Sequence, residues 1–159
     1  MKVLVVYESV YGNTEKVAQA IGAAYPSQAE IGVVQVSSLT KEQLAGVELL
    51  IVGSPTQAFS PFKDTKVWMK TLTQGSLNGL KVAAFDTRMN VKDVNNLLLT
   101  ILAGIFGFAA KPIGAAMVKA GGTLIAEPEG FFVKASEGPL KDGELERAAE
   151  WARGLFAKI

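Results

Sequence analysis

The chain has 159 residues, 49% of them hydrophobic and 19% charged, with a formal net charge of +1. That composition fits one packed domain, expected to span residues 1–159, and excludes both a disordered chain and a binder working by bulk phosphate neutralisation. It holds no Cys and no His, so disulfides, thiolate nucleophiles, Cys/His zinc sites, serine–histidine triads and imidazole acid–base catalysis are excluded as well.

Any redox chemistry must therefore reside on a cofactor. The N-terminal MKVLVVYE is too short in its apolar part for a signal peptide and lacks a small-residue cleavage site after it, so a cytoplasmic location is expected.

Short apolar runs alternate with amphipathic stretches, the pattern of repeated βα units. KVLVVY reads as the first strand, and Asn13 to about Ala24 as the first helix. EIGVVQV is the second strand; SSLTKEQLAG then forms a short helical turn, with Thr40 and Gln43 spaced as a capping box. VELLIVGSP is apolar on both faces, as a central parallel strand should be. A helix is expected from Pro61 or Phe62 to Leu72, burying Phe62, Thr65, Val67, Trp68, Met69 and Leu72. LKVAAFDT is the fourth strand, residues 109–120 a helix stopped at Gly121-Gly122, and TLIAEPEGFFV a fifth strand kinked at Pro128 and Gly130. The last helix is expected over 143–158, with Leu145, Ala148, Ala149, Ala152, Leu155 and Phe156 inward.

One segment stands apart. LLLTILAGIFGFAA, residues 97–110, is almost wholly apolar yet shorter than the roughly 20 residues a membrane-spanning helix needs. A buried extra helix or a dimer contact is the leading expectation, with membrane-surface docking the alternative.

In an open doubly wound sheet, ligands bind beyond the carboxyl ends of the strands. The loops after strands 1, 3 and 4 are therefore the informative ones. After strand 1, ESVYGNT brings hydroxyls from Ser9 and Thr14 and a pliable Gly12 to a helix start. Free N–H groups and the helix dipole favour a phosphate there. Neither G-x-x-x-x-G-K nor G-x-G-x-x-G is present, which argues against an NTPase and a dinucleotide site. A tight turn with ordinary capping is the alternative. After strand 3, GSPTQAFSPF offers a rigid loop with Phe59 as a candidate face for a flat ring, unless Phe59 and Phe62 only staple the next helix. After strand 4, Asp86 and Arg88 could tune a bound ring or form a local ion pair. A phosphoacceptor receiver domain would need a carboxylate pair after strand 1 and an Asp ending strand 3; Glu8 stands alone, and Gly-Ser-Pro-Thr ends strand 3.

Together these loops resemble the flavodoxin family. SVYGNT at 9–14 resembles its phosphate loop, S/T-x-T-G-x-T, with Tyr11 in place of the middle Thr. SPTQAF at 54–59 and DTRM at 86–89 are similar to its two flavin-flanking loops, the first closest in style to the quinone-reductase branch. The resemblance implies an α/β flavodoxin-like doubly wound sheet of five parallel strands, order 2-1-3-4-5, with helices on both faces. It implies that FMN is the cofactor. Ser9, Val10, Tyr11, Gly12, Asn13 and Thr14 would hold its phosphate, and Pro55, Thr56, Gln57, Ala58 and Phe59, with Asp86, Thr87 and Arg88, would flank the ring. It implies an electron carrier serving a redox partner protein. The alternative is an FMN-dependent oxidoreductase acting on a lipophilic quinone or porphyrinogen; a cofactor-free binding module is the third possibility. The apolar stretch after DTRMN departs from the family pattern and is a candidate to rebuild one side of the site. It is also where a homo-oligomer or membrane contact is expected.

Overall fold

The computed structural model describes residues 1–93 and 96–159, together with all of their side chains except those of Leu99 and Phe106 in the apolar run. The elements follow the expected alternation: β1 Lys2–Tyr7, α1 Asn13–Ala23, β2 Glu30–Gln35, β3 Leu49–Gln57, β4 Ser60–Pro61, α2 Lys63–Thr71, β5 Lys81–Met89, α3 Leu97–Phe106, α4 Ala110–Lys119, β6 Thr123–Leu124, β7 Glu129–Val133 and α5 Glu144–Phe156. The sheet runs β2-β1-β3-β5, with β6 and β7 both pairing parallel to the far side of β5. The expected fifth strand is thus present in two pieces. Its interruption covers residues 125–128 and ends on Pro128, which has no N–H to give the ladder, and Gly130 falls inside β7 rather than at a kink.

Alternation along the central strands divides the core. Val3, Val5, Leu49, Ile51, Ala83 and Phe85 face α1 and α5, meeting Val17, Ile21, Ala148 and Leu155. Leu4, Val6, Leu50, Val52, Val82 and Ala84 face α2 and α4, meeting Ile113, Met117, Trp68 and Met69. Strands buried on both faces read as continuous apolar runs for this reason. Phe85, Phe131 and Trp151 lock the first face, with ring centroids 6.1–6.3 Å apart in edge-on geometry.

Three expectations are corrected. On α2 Val67 is exposed, and only Thr65 is fully buried, with Trp68 and Met69 half-buried; a short helix over a sheet rim covers the core with a narrow stripe. On α5 Leu145 and Phe156 are exposed, while Trp151, four residues before Leu155, enters the core instead. The apolar run is buried only in part: Ala109 and Ala110 at its end join the core, but no described side chain of α3 belongs to either core cluster, and Leu97, Leu98, Ile101 and Ile105 face outward. Half of the capping box also forms, the Thr40 N–H donating to Gln43 Oε1 at 2.8 Å, beside a 3₁₀ turn at Glu42–Leu44.

Candidate functional site

β1 ends at Tyr7, and the chain turns through residues 8–12 into α1. Gly12 sits at the helix N-cap with φ 81°, a left-handed conformation costing a residue with a Cβ about 1–2 kcal/mol. Among the described residues, no acceptor meets the N–H groups of Val10, Tyr11, Gly12, Asn13 or Thr14, and the N-cap residue Gly12 has no side chain to offer one. Five donors therefore gather where the helix dipole is positive. Ser9 Oγ is used inside the turn, accepting the Glu15 N–H at 3.3 Å. The Thr14 and Thr87 hydroxyls lie 2.7 Å apart, tying this loop to β5. Asn13 Nδ2 donates to the Glu137 carbonyl at 3.0 Å.

Glu8, the lone carboxylate at the end of strand 1, has a structural task. Its two oxygens accept from the N–H groups of Asp64 and Thr65 at 2.9 and 2.8 Å and from the Thr65 hydroxyl at 2.7 Å. It caps α2 and holds that helix against the phosphate-type loop.

The second wall is a hairpin. β3 runs on through Gln57, turns at Ala58-Phe59, and returns as β4, with Gln57 opposite Ser60. Both turn residues have positive φ, 47° and 61°, as a type I′ turn requires. Asn-Gly normally fills such a turn; an Ala-Phe pair there is strained by about 1–3 kcal/mol per residue. Ser54 Oγ accepts the Phe62 N–H at 2.8 Å and closes the hairpin base.

The third wall comes from β5. The strand expected to end at Thr87 runs two residues further: Asp86, Thr87, Arg88 and Met89 all pair with β7. The ladder extends because the second half of the split strand lies alongside them. Asp86 is fully buried and salt-bridged to Arg88, with 2.9 Å between Asp86 Oδ2 and Arg88 Nη2. It also accepts the Ala110 N–H at 2.8 Å, while Thr56 Oγ1 accepts the Ala109 N–H at 2.9 Å. Burial pushes the Asp86 carboxyl up, and the Arg88 charge and its hydrogen bonds pull against that rise. The Arg88 guanidinium lies 3.9 Å from the centre of the Phe108 ring, a cation–π contact. It also fills the space a Cβ at position 130 would need, so Gly130 is what lets the arginine lie across β7.

These walls enclose a cavity of about 500 Å³, within the range of small-ligand sites. Of the residues expected from sequence, Val10, Tyr11, Asn13, Thr14, Pro55, Thr56, Gln57, Ala58, Phe59, Thr87 and Arg88 line it. Ser9, Gly12 and Asp86 do not; they shape the turn and anchor the arginine from behind. Phe62, Met89, Val91, Phe108, Val133 and Ser136 join the lining. The apolar run does rebuild one wall: Phe108 supplies the aromatic that DTRMN lacks, 6.4 Å from Phe59. The Gly107 break inside that run is the only local sign that its phenylalanine turns back toward the sheet. Val133 and Ser136 arrive by β7 pairing with β5, for which no local signal exists.

A cleft with five unpartnered N–H groups at one end, apolar and aromatic walls at the other and a cation beside them suits a phosphorylated flat ring. Comparisons with known proteins point the same way. A family model described as flavodoxin matches residues 5–87. The flavodoxin of Clostridium saccharobutylicum is 25% identical over 162 residues, covering 100% of this chain and 98% of its own. Oxidised flavodoxin 2 from Bacillus cereus superposes with a TM-score of 0.78 at 20% identity over 100% of both chains. An archaeal flavodoxin gives 0.74 at 23% identity over 99% of this chain and 98% of its own. These two structural likenesses speak for the fold.

Proposed function

The chain belongs to the flavodoxin family, whose members bind FMN and transfer electrons to redox partner proteins, and from that premise we propose which of its residues hold the cofactor and how they act. The supporting observation is the row of unpartnered N–H groups at residues 10–14, opening at the α1 N-terminus onto the 500 Å³ cavity. Those groups, with the Thr14 hydroxyl, hold the FMN phosphate; Gly12 gives the turn its shape and Ser9 braces it. Pro55 to Phe59 form one wall for the ring, and Thr87, Arg88 and Phe108 the other. The donor set fits the group: backbone N–H groups for a dianion, apolar and aromatic surfaces for a flat tricycle.

Bound FMN supplies reversible uptake of one or two electrons; the chain's own residues set how readily. Arg88 places a positive charge beside the ring cavity, and Asp86 behind it cancels part of that field and fixes the guanidinium on Phe108. With no His or Cys in the chain, no imidazole or thiol is available to move protons, which suits a carrier. A soluble, cytoplasmic carrier serving a protein partner is the whole of the proposal.

The test compares FMN with riboflavin, which lacks the phosphate. Fluorescence titration should show FMN bound at least tenfold more tightly than riboflavin. Thr14→Val should weaken FMN about tenfold, the loss of one charge-assisted hydrogen bond of roughly 1.5 kcal/mol, and leave riboflavin unchanged. Equal affinities for the two flavins, or an unaltered FMN affinity in the variant, would overturn the assignment of the 9–14 loop.

A further inference from the structure

Helix α3 presents a stripe of long aliphatic side chains to water. At 100° per residue, Leu97, Leu98, Ile101 and Ile105 fall within one arc of about 100°. Those four are 76%, 63%, 48% and 69% exposed. Ala103, on the opposite side of the helix, is buried. Four long aliphatics side by side in water form a surface built to be covered. The helix holds no charge and only Thr100 as a polar side chain. Both of its ends return to the cofactor cleft, through Val91 before it and Phe108 after it. The apolar stretch long enough to cross a bilayer, Thr100–Lys119, is broken between α3 and α4, and α4 packs Ile113 and Met117 into the core. The outward stripe can therefore lie in a membrane interface but not span it.

The charge of the part of the chain that holds it is one-sided. Residues 63–120 carry eight Lys and Arg against three Asp and no Glu; residues 1–62 carry three against five, and residues 121–159 five against seven. Near-neutral overall charge thus hides an excess of five positive charges in the part that includes α2, α3 and α4. Lys63, Lys66 and Lys70 on α2, Lys92 before α3, and Lys111 and Lys119 on α4 are all exposed, and none has a carboxylate partner among the described residues. α2 and α4 share one face of the sheet, and Lys111 reaches back beside Gly107 at the end of α3. Exposed aliphatics beside unpaired lysines are the recognition chemistry of an anionic lipid surface. Transient electron-transfer contacts between proteins are by contrast small, with no need of four long aliphatics held in water.

We infer that α3 and its flanking lysines dock this protein on the surface of an anionic lipid bilayer, with the cofactor cleft beside the contact. Docking goes beyond the carrier reading, and its test does not depend on flavin chemistry.

The experiment is flotation of the full chain with vesicles of phosphatidylcholine alone and of phosphatidylcholine containing phosphatidylglycerol. Partition onto the anionic vesicles should be at least tenfold the stronger and should fall as salt screens the lysines. Ile101→Asp with Ile105→Asp should lower it at least tenfold while FMN retention and Tm stay as in the parent chain. Lys92→Gln with Lys111→Gln, which leaves the apolar stripe intact, should lower binding to anionic vesicles about tenfold and leave the phosphatidylcholine baseline where it was. A parent chain that floats with neither vesicle overturns the proposal, as does a double-Asp variant that binds like the parent. So does sedimentation showing a dimer that the double-Asp variant dissolves, which would assign the stripe to a second copy of the chain.

Discussion

The two ends of the cleft are made in different ways. The end proposed to hold the phosphate is one contiguous segment, residues 9–14, in which a strand stops and a helix begins; its donors are backbone groups, supplied by almost any sequence that makes the turn. The ring end is assembled from the β3–β4 hairpin, the end of β5, the start of α4 and the last part of β7, held together by side chains. Backbone recognition tolerates drift in sequence, as Tyr11 in place of Thr illustrates. Side-chain assembly is less tolerant, and this protein builds that end around Arg88, Asp86 and Phe108.

The largest test of that contrast is Asp86→Ala. It strands the Arg88 guanidinium and the Ala110 N–H together, and should destabilise the protein by about 3 kcal/mol in urea unfolding. A loss no greater than the roughly 0.5 kcal/mol of an ordinary surface substitution would mean the ring end is not organised by this pair. Asp86→Asn is the gentler form: it keeps an acceptor for Ala110 and leaves Arg88 uncompensated, so the flavin midpoint potential should rise. A fall would break the electrostatic account.

Phe108→Ala comes next. Removing the ring under Arg88 should weaken FMN and riboflavin alike by about tenfold, roughly 1.4 kcal/mol, whereas Thr14→Val acts on FMN alone. If Phe108→Ala discriminates between the two flavins, the division of the cleft into two ends is wrong.

The smallest effect expected is at the hairpin turn. Ala58→Gly relieves one of two strained positive-φ residues, and part of that gain is offset by the added freedom of glycine in the unfolded chain. A net stabilisation of about 0.5–1 kcal/mol should appear in thermal unfolding, with Phe59 still in place and FMN affinity little changed. Destabilisation would show that the Ala58 side chain contributes packing that outweighs its strain.

Much of this was legible beforehand because it is local. Apolar runs buried on both faces announced the strands, and the turn residues Gly12, Asn13 and Thr14 announced the helix start with its unpartnered N–H groups. Eleven of the fourteen residues singled out by sequence line the cleft; the other three act from just behind it. The misreadings have a common cause. Arg88 and Met89 read as lying beyond the fourth strand, since nothing near them in the chain reveals that β7 arrives to pair with them. Val67, Leu145 and Phe156 were expected inside by periodicity, but which arc of a helix meets the sheet depends on how that helix is tilted across it.

The apolar run 97–110 states the difference most clearly. Its composition alone determined that these side chains need cover, because long aliphatics in water are unfavourable wherever the chain puts them. Whether the cover is the protein's own core is a matter of geometry. Both faces of the sheet were already filled, by α1 and α5 on one side and α2 and α4 on the other. Only the tertiary structure could decide that α3 stands outside, beside the cleft, with Phe108 turned in and Leu97, Leu98, Ile101 and Ile105 turned out.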